Sequence, residues 1–268
     1  MEFNQNYERA SWERCEVPGD SLIEAAEAAL REDPDNGVRW MKKGHAHARL
    51  SLMREAEEYY AMAIACDPFC WEYYRHRAHR MLSCWRFQDA AADFTIASRL
   101  NPKDWNVFYH LGLSFFLLRD YERAAKAYQR CYELTKAEQE LIAVSDWYYM
   151  TLLRLGKKEE AQCILDRITE NMEPGDNTAY YARLLMYKGL KRPEELLAAD
   201  PEKTTDIELV TMGFGIGNYY LMNGEPEKGY EVMERVVKAG DQSDCYFAFA
   251  YLASKAELSA REQNREAV

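Results

Sequence analysis

Residues 37–68 read GVRWMKKGHAHARLSLMREAEEYYAMAIACDP, and the same order of residue types returns in residues 71–102 as WEYYRHRAHRMLSCWRFQDAAADFTIASRLNP. The step is 34 residues: it links Pro34, Pro68 and Pro102; Trp40, Tyr74 and Phe108; Gly44, Ala78 and Gly112; Ala56, Ala90 and Ala124; Tyr60, Phe94 and Tyr128; and Ala63, Ala97 and Cys131. Six registers that agree in size and polarity describe one unit used repeatedly, each copy burying its apolar face on its neighbours. Gly44, Ala78 and Gly112 let two helices of a hairpin approach closely. Ala56, Ala90 and Ala124 admit a bulky aromatic from the facing helix, and the prolines stop the second helix from running on.

This spacing resembles the tetratricopeptide repeat (TPR), whose 34-residue signature runs through an aromatic, Leu-Gly, a Tyr, a later Ala, an aromatic and a closing Pro. The resemblance implies an all-α fold: a right-handed α-solenoid of about seven helix-turn-helix units with a terminal capping helix, which binds an extended peptide or a partner helix in its concave groove. The expected organisation is a single solenoid over 1–268, with repeats at 3–34, 37–68, 71–102, 105–136, 142–173, 176–200 and 210–240 and a capping helix over 243–262. Residues 142–250, with Asp146-Trp-Tyr-Tyr-Met and Gly213-Phe-Gly-Ile-Gly217, also look like a group of bacterial TPR proteins.

Composition agrees with a packed chain. The 34 basic and 45 acidic residues leave a net charge of −11, which disfavours nucleic-acid backbones and anionic membranes as partners. Apolar residues make up 48% of the chain, enough for a buried core. Seven scattered cysteines without a Cys-x-x-Cys pair read as small buried hydrophobes in a reducing compartment. The polar, acidic start has no basic stretch leading into an apolar one, and the longest nearly apolar run, residues 108–118, is too short to span a bilayer, so a cytoplasmic address is expected.

Along the chain, residues 1–34 fit the frame with weaker letters: a helix near 4–16, a break at Pro18-Gly19, and a helix over 21–32 that Ser21 and Glu24 would open as a capping box. The fifth repeat starts three residues late, with the extra residues near 137–140 lengthening a helix or a connection. In the sixth, Gly189 and Pro193 leave a second helix that Asp200-Pro201 ends early, so the array is expected to bend there. The seventh has helices near 206–223 and 226–239.

In the TPR frame, positions two, five, six, nine and twelve of each first helix line the groove. Four of the five histidines fall there: His45, His76, His79 and His110; His47 falls at position eleven and points to the partner helix. Lys42, Arg49 and Arg75 stand beside them, making a basic centre in an acidic chain. Its expected chemistry is reception of an acidic group, with Arg75 giving forked hydrogen bonds and protonated imidazoles adding charge as pH falls. A solvated polar stripe is the plain alternative. Aromatic side chains at positions five and six, among them Tyr109, Trp147, Tyr180, Tyr181 and Phe214, suit either peptide contact or packing between first helices.

Family members that receive the tail of Hsp70 or Hsp90 use a clamp of Lys and Asn at positions five and nine, Asn at six of the next repeat, and Lys and Arg at two and six of the third. From repeat one these positions hold Tyr7, Ser11, Lys42, Glu72 and His76, and from repeat two Met41, His45, His76, Asn106 and His110, so a chaperone tail is not the expected partner. Gly213-Phe-Gly-Ile-Gly217 lacks the Lys-Ser/Thr of a phosphate loop and reads as close helix packing. No Gly-x-Ser-x-Gly or His-Glu-x-x-His motif occurs. The expectation is therefore a non-catalytic protein-interaction scaffold without cofactor or metal, recognising its partner through Lys42, His45, Arg75, His76, His79, Tyr109, His110 and Trp147. A self-assembling structural element and a histidine-based metal or hydrolytic site are the alternatives.

Overall fold

A computed structural model of the chain describes residues 17–197, 206–243 and 245–266. The helix expected near 4–16, with Tyr7 and Cys15, and the Asp200-Pro201 stop lie outside the described residues. Every regular element among the described residues is helical, and successive helices pack antiparallel in chain order, as TPR-like hairpins of an α-solenoid fold. The helices group into two compact units, Met1–Ser114 and Phe115–Val268.

The first unit contains α1 (Ser21–Glu32), α2 (Gly37–Ala48), α3 (Met53–Cys66), α4 (Trp71–Ser83), α5 (Phe87–Leu100) and residues 105–114 of α6 (Trp105–Leu117). Its hairpins close as the small residues require. A Cβ on Gly44 would lie 2.6 Å from the Tyr60 ring, and Ala56, Ala63, Ala78, Ala90, Phe94 and Ala97 are fully buried. The aromatic at the fourth position ties two of the repeats to the proline before them: Trp40 Nε1 donates to the Pro34 carbonyl at 2.7 Å and the Tyr74 hydroxyl to that of Pro68 at 3.1 Å. The cap of α1 is not Ser21 as expected. Asp20 fills that place, its carboxylate accepting from the Leu22 and Ile23 amides at 3.1 Å, because an ionised acceptor answers the exposed amides more strongly than a hydroxyl.

The second unit contains α7 (Tyr121–Leu134), α8 (Glu138–Arg154), α9 (Lys158–Asp166), a 3₁₀ turn (Gly175–Asn177), α10 (Thr178–Tyr187), α11 (Pro193–Leu197), α12 (Asp206–Met222), α13 (Pro226–Gln242) and α14 (Phe249–Glu266). The extra residues of the fifth repeat go into α8, which is 17 residues long. The last helix begins at Phe249 rather than near 243, after a turn at 245–247. α10 has only ten residues and packs on both α8 and α12, which also touch each other directly. Gly213, Gly215 and Gly217 are helical and buried in α12; a Cβ on Gly217 would meet Met233 Cγ at 2.8 Å and the Gly229 carbonyl at 3.0 Å of α13. Close packing accounts for this glycine run, as its letters suggested.

Of the described cysteines, all free, only Cys84 and Cys131 are buried, and Cys163 is exposed, which corrects their reading as core residues. Their 34-step neighbours explain part of this. Cys131 occupies the buried register of Ala63 and Ala97, whereas Cys163 lies outside the six registers. No described helix is long and apolar enough to cross a membrane.

Candidate functional site

The histidines of the first unit form two equivalent pairs. On α2 and α4, His45 meets His76 edge to face with ring centres 4.4 Å apart; on α4 and α6, His79 meets His110 in the same manner at 4.6 Å. Each pair joins position nine of one repeat to position six of the next. Each position-six ring also stacks on the closing aromatic of the preceding repeat: His76 on Tyr60 and His110 on Phe94, both at 5.6 Å. The sequence period thus carries over into side-chain geometry, since equal steps in the chain place equal residues in equal surroundings.

Hydrogen bonds fix the tautomers of the second pair. Arg80 donates to His79 Nδ1, which leaves the proton of a neutral ring on Nε2. His110 Nδ1 lies 2.8 Å from the Asn106 carbonyl and so carries its proton there, leaving Nε2 as an acceptor. Arg75 Nη1 donates to Asn106 Oδ1 at 2.8 Å, joining the other guanidinium to the same group.

These rings resist protonation. Burial, reinforced by Arg75 and by neighbouring charge, brings His76 down to about 3. Burial lowers His110 to about 4 against the upward pull of its bond to Asn106. His79 is held well below its ordinary value by burial, then by His110 and the two arginines, and His45 is lowered by burial and by Arg75 and Arg80. The expected gain of imidazolium charge on mild acidification is corrected accordingly: the cations of this site are Arg75, Arg80 and, at the surface, Lys42.

The predicted residues sort by exposure. Lys42 and His45 are exposed on α2, while Arg75, His76 and His79 are half-buried on α4. Tyr109 and His110 are each 6% exposed, the first stacked on Trp105 at 4.9 Å. They stand behind the surface residues rather than among them, a correction to their reading as direct contacts. Arg80 was missed because position ten lies outside the groove positions; its side chain nevertheless reaches His79, and also Met53 Sδ at 3.5 Å. His47 turns inward as expected, buried against Tyr59 at 4.6 Å with Nδ1 2.9 Å from the Lys43 carbonyl.

Trp147 is corrected outright. It belongs to the second unit and is 0% exposed, stacked on Phe214 at 5.6 Å and met edge-on by Phe116 at 5.1 Å. The direct meeting of α8 with α12 covers the ring, so it is core. Beside it Asp146 and Arg183, both wholly buried, pair at 2.7 Å, and Arg183 also donates to the Thr211 carbonyl at 2.9 Å. Burial raises the Asp146 carboxyl to about 7 despite the attraction of Arg183. A second buried carboxylate, Glu257 of α14, accepts from Arg119 at 2.9 Å and the Tyr121 hydroxyl at 3.2 Å, and pairs with Arg154. These two buried acids therefore already hold their arginines. The unit also has a half-open pocket of about 310 Å³ between α11, α12 and α13, walled by Leu196, Leu209, Met212 and Val236. No group of three or more metal-ligating side chains occurs among the described residues.

The family model described as Tetratricopeptide repeat matches residues 23–69 and 86–138. Among curated protein sequences none matches. Similar solved structures include a tetratricopeptide repeat protein from Parabacteroides merdae, with 18% identity, 86% of this chain and 90% of that chain covered, and a TM-score of 0.57. Another is YrrB, described as a TPR protein with an unusual peptide-binding site, at 17% identity, 87% and 99% coverage and a TM-score of 0.52. A chain of the APC/C hetero-tetramer Cut9-Hcn1 matches at 17% identity, 87% and 45% coverage and the same TM-score of 0.52. At these identities the likeness is one of fold. The 34-residue ladder, the helix hairpins it builds and the matched family model together identify tetratricopeptide repeats at residues 23–69 and 86–138.

Proposed function

We propose that the first unit is a non-catalytic scaffold that binds an acidic segment of a partner protein along α2, α4 and the start of α6, with Lys42, His45, Arg75 and His76 in contact and His79, Tyr109 and His110 supporting them. The observation that carries this reading is the state of Arg75 and Arg80. Both are half-buried, and neither has a carboxylate partner among the described residues, although Arg39, Arg49, Arg77 and Arg86 of the same unit each do. A half-buried guanidinium without an anion leaves attraction unused, which an incoming acid recovers. The peptide site named for the similarly folded YrrB supports peptide as the ligand class. Trp147 has no part in the proposed surface.

Fluorescence anisotropy with a labelled Gly-Ser-Glu decapeptide, a Gly-Ser-Lys control and an uncharged control tests the reading. Saturable binding of the acidic peptide alone, lost in Arg75→Glu with helicity unchanged, is the expected result. Equal binding of all three peptides, or acidic binding that survives Arg75→Glu, would overturn it.

A further inference from the structure

We infer that the anion received by the first unit is a phosphoryl group on the partner segment, held between Arg75 and Arg80 of α4. This rests on the acidic-segment reading and sharpens it. The charge count comes first: the site holds two permanent half-buried cations, and the four imidazoles around them are neutral. A carboxylate offsets one guanidinium and leaves the other uncompensated, whereas a phosphoserine or phosphothreonine, at about −1.5 to −2, offsets both.

The carboxylate whose charge acts on Arg80 is Glu57, and Glu57 is already bound to Arg86 at 2.5 Å. Glu57 is therefore not free to complete the pair. Donor geometry points the same way. Among the described residues Arg75 donates through Nη1 to Asn106 of α6, and Arg80 through Nη1 and Nη2 to Met53 of α3 and to His79, while the charges of both act on the same four histidines. The remaining N–H groups of two forks suit the several oxygens of a phosphoryl group. The other groups facing this place are His45 from α2, Tyr60 from α3, and Asn106 and His110 from α6, none of them a carboxylate.

The test uses the full chain and two kinds of probe. Histidine-ring NMR spectra are followed during titration with inorganic phosphate and, separately, acetate at constant ionic strength and pH 7.5. Peptide affinities are measured for the Glu decapeptide and for the same peptide with one Glu replaced by phosphoserine. The proposal expects saturable shifts at His76 and His79 with phosphate and none with acetate, and binding of the phosphorylated peptide about tenfold tighter than of its parent. The tenfold gain should vanish in Arg75→Gln and Arg80→Gln, and Arg75→Lys, which keeps the charge but loses the fork, should retain only part of it. If Arg80→Gln does not fold, the two Arg75 variants decide. Equal affinity of the two peptides, with both still sensitive to Arg75→Glu, sinks the phosphoryl assignment and leaves the acidic-segment reading standing. Failure of both peptides to bind removes the two together, and phosphate shifts that persist in Arg75→Gln assign the anion elsewhere.

Discussion

At the scale of single residues, environment decides what charge a side chain carries. The groove histidines sit below the ordinary 6.5, His76 at about 3 and His110 at about 4, so an unfolded chain binds more protons than the folded one between those values and 6.5. Their neutral burial supports the first unit fully above 6.5 and progressively less as pH falls through that window. Hydrogen exchange should accordingly show α4 and α6 opening more readily at pH 5 than at pH 7.5, with His76→Gln narrowing the difference. Asp146 has the opposite sign: its raised pKa gives a contribution that is complete below 3.8 and lost as pH rises through about 7. Its pairing with Arg183 is buried on both sides, so Asp146→Ala should cost about 3–5 kcal/mol in urea unfolding by stranding a charge, while Asp146→Leu with Arg183→Met should come close to wild type. A double variant as unstable as the single one would show that the pair itself supplies the stability.

At the scale of elements, the turn between the helices of each hairpin holds a regularity that the letters hide. Ser51, Trp85 and Arg119 are 34 residues apart and all adopt positive φ, at 61°, 64° and 60°, where Gly156, Gly189 and Gly224 serve the later hairpins. A side chain in this region costs about 1–2 kcal/mol. Trp85 and Arg119 have ring or charge contacts to set against it, whereas Ser51 is exposed and carries neither ring nor charge, so Ser51→Gly should stabilise the first unit by up to about 1 kcal/mol in urea unfolding. Helix contacts give the reverse case. Gly217→Ala would gain helix propensity, yet its Cβ would press on the Gly229 carbonyl, which cannot rotate away, and thermal denaturation should show a loss of about 1–3 kcal/mol.

At the scale of the whole molecule, a chain of net charge −11 carries the proposed basic site for an acidic ligand. Long-range repulsion and short-range attraction then respond differently to salt, because exposed charges are screened beyond about 8–10 Å while half-buried ones are screened less. In stopped-flow measurements with the acidic decapeptide, the association rate should rise with salt as the distant field is screened, and the dissociation rate should rise more weakly. An association rate that falls steeply with salt would mean that the basic residues dominate the field at a distance.

What the sequence by itself determined is what depends on neighbours in the chain or one repeat away: the hairpins, their 34-residue register, the close approach at Gly44 and Gly217, and the clustering of histidines at positions six and nine. Those contacts recur because each repeat packs on the next in the same way, so residue type and spacing suffice. Tertiary structure alone decided what depends on enclosure and on partners from remote repeats. Trp147 is buried because Phe214 and Phe116 cover it, Glu257 is satisfied by Arg119 and Arg154, and no local pattern announces either. The histidine row, legible as a row, became a neutral lining rather than a charged one because desolvation and two nearby guanidiniums act through space, and neither has a spacing in the sequence.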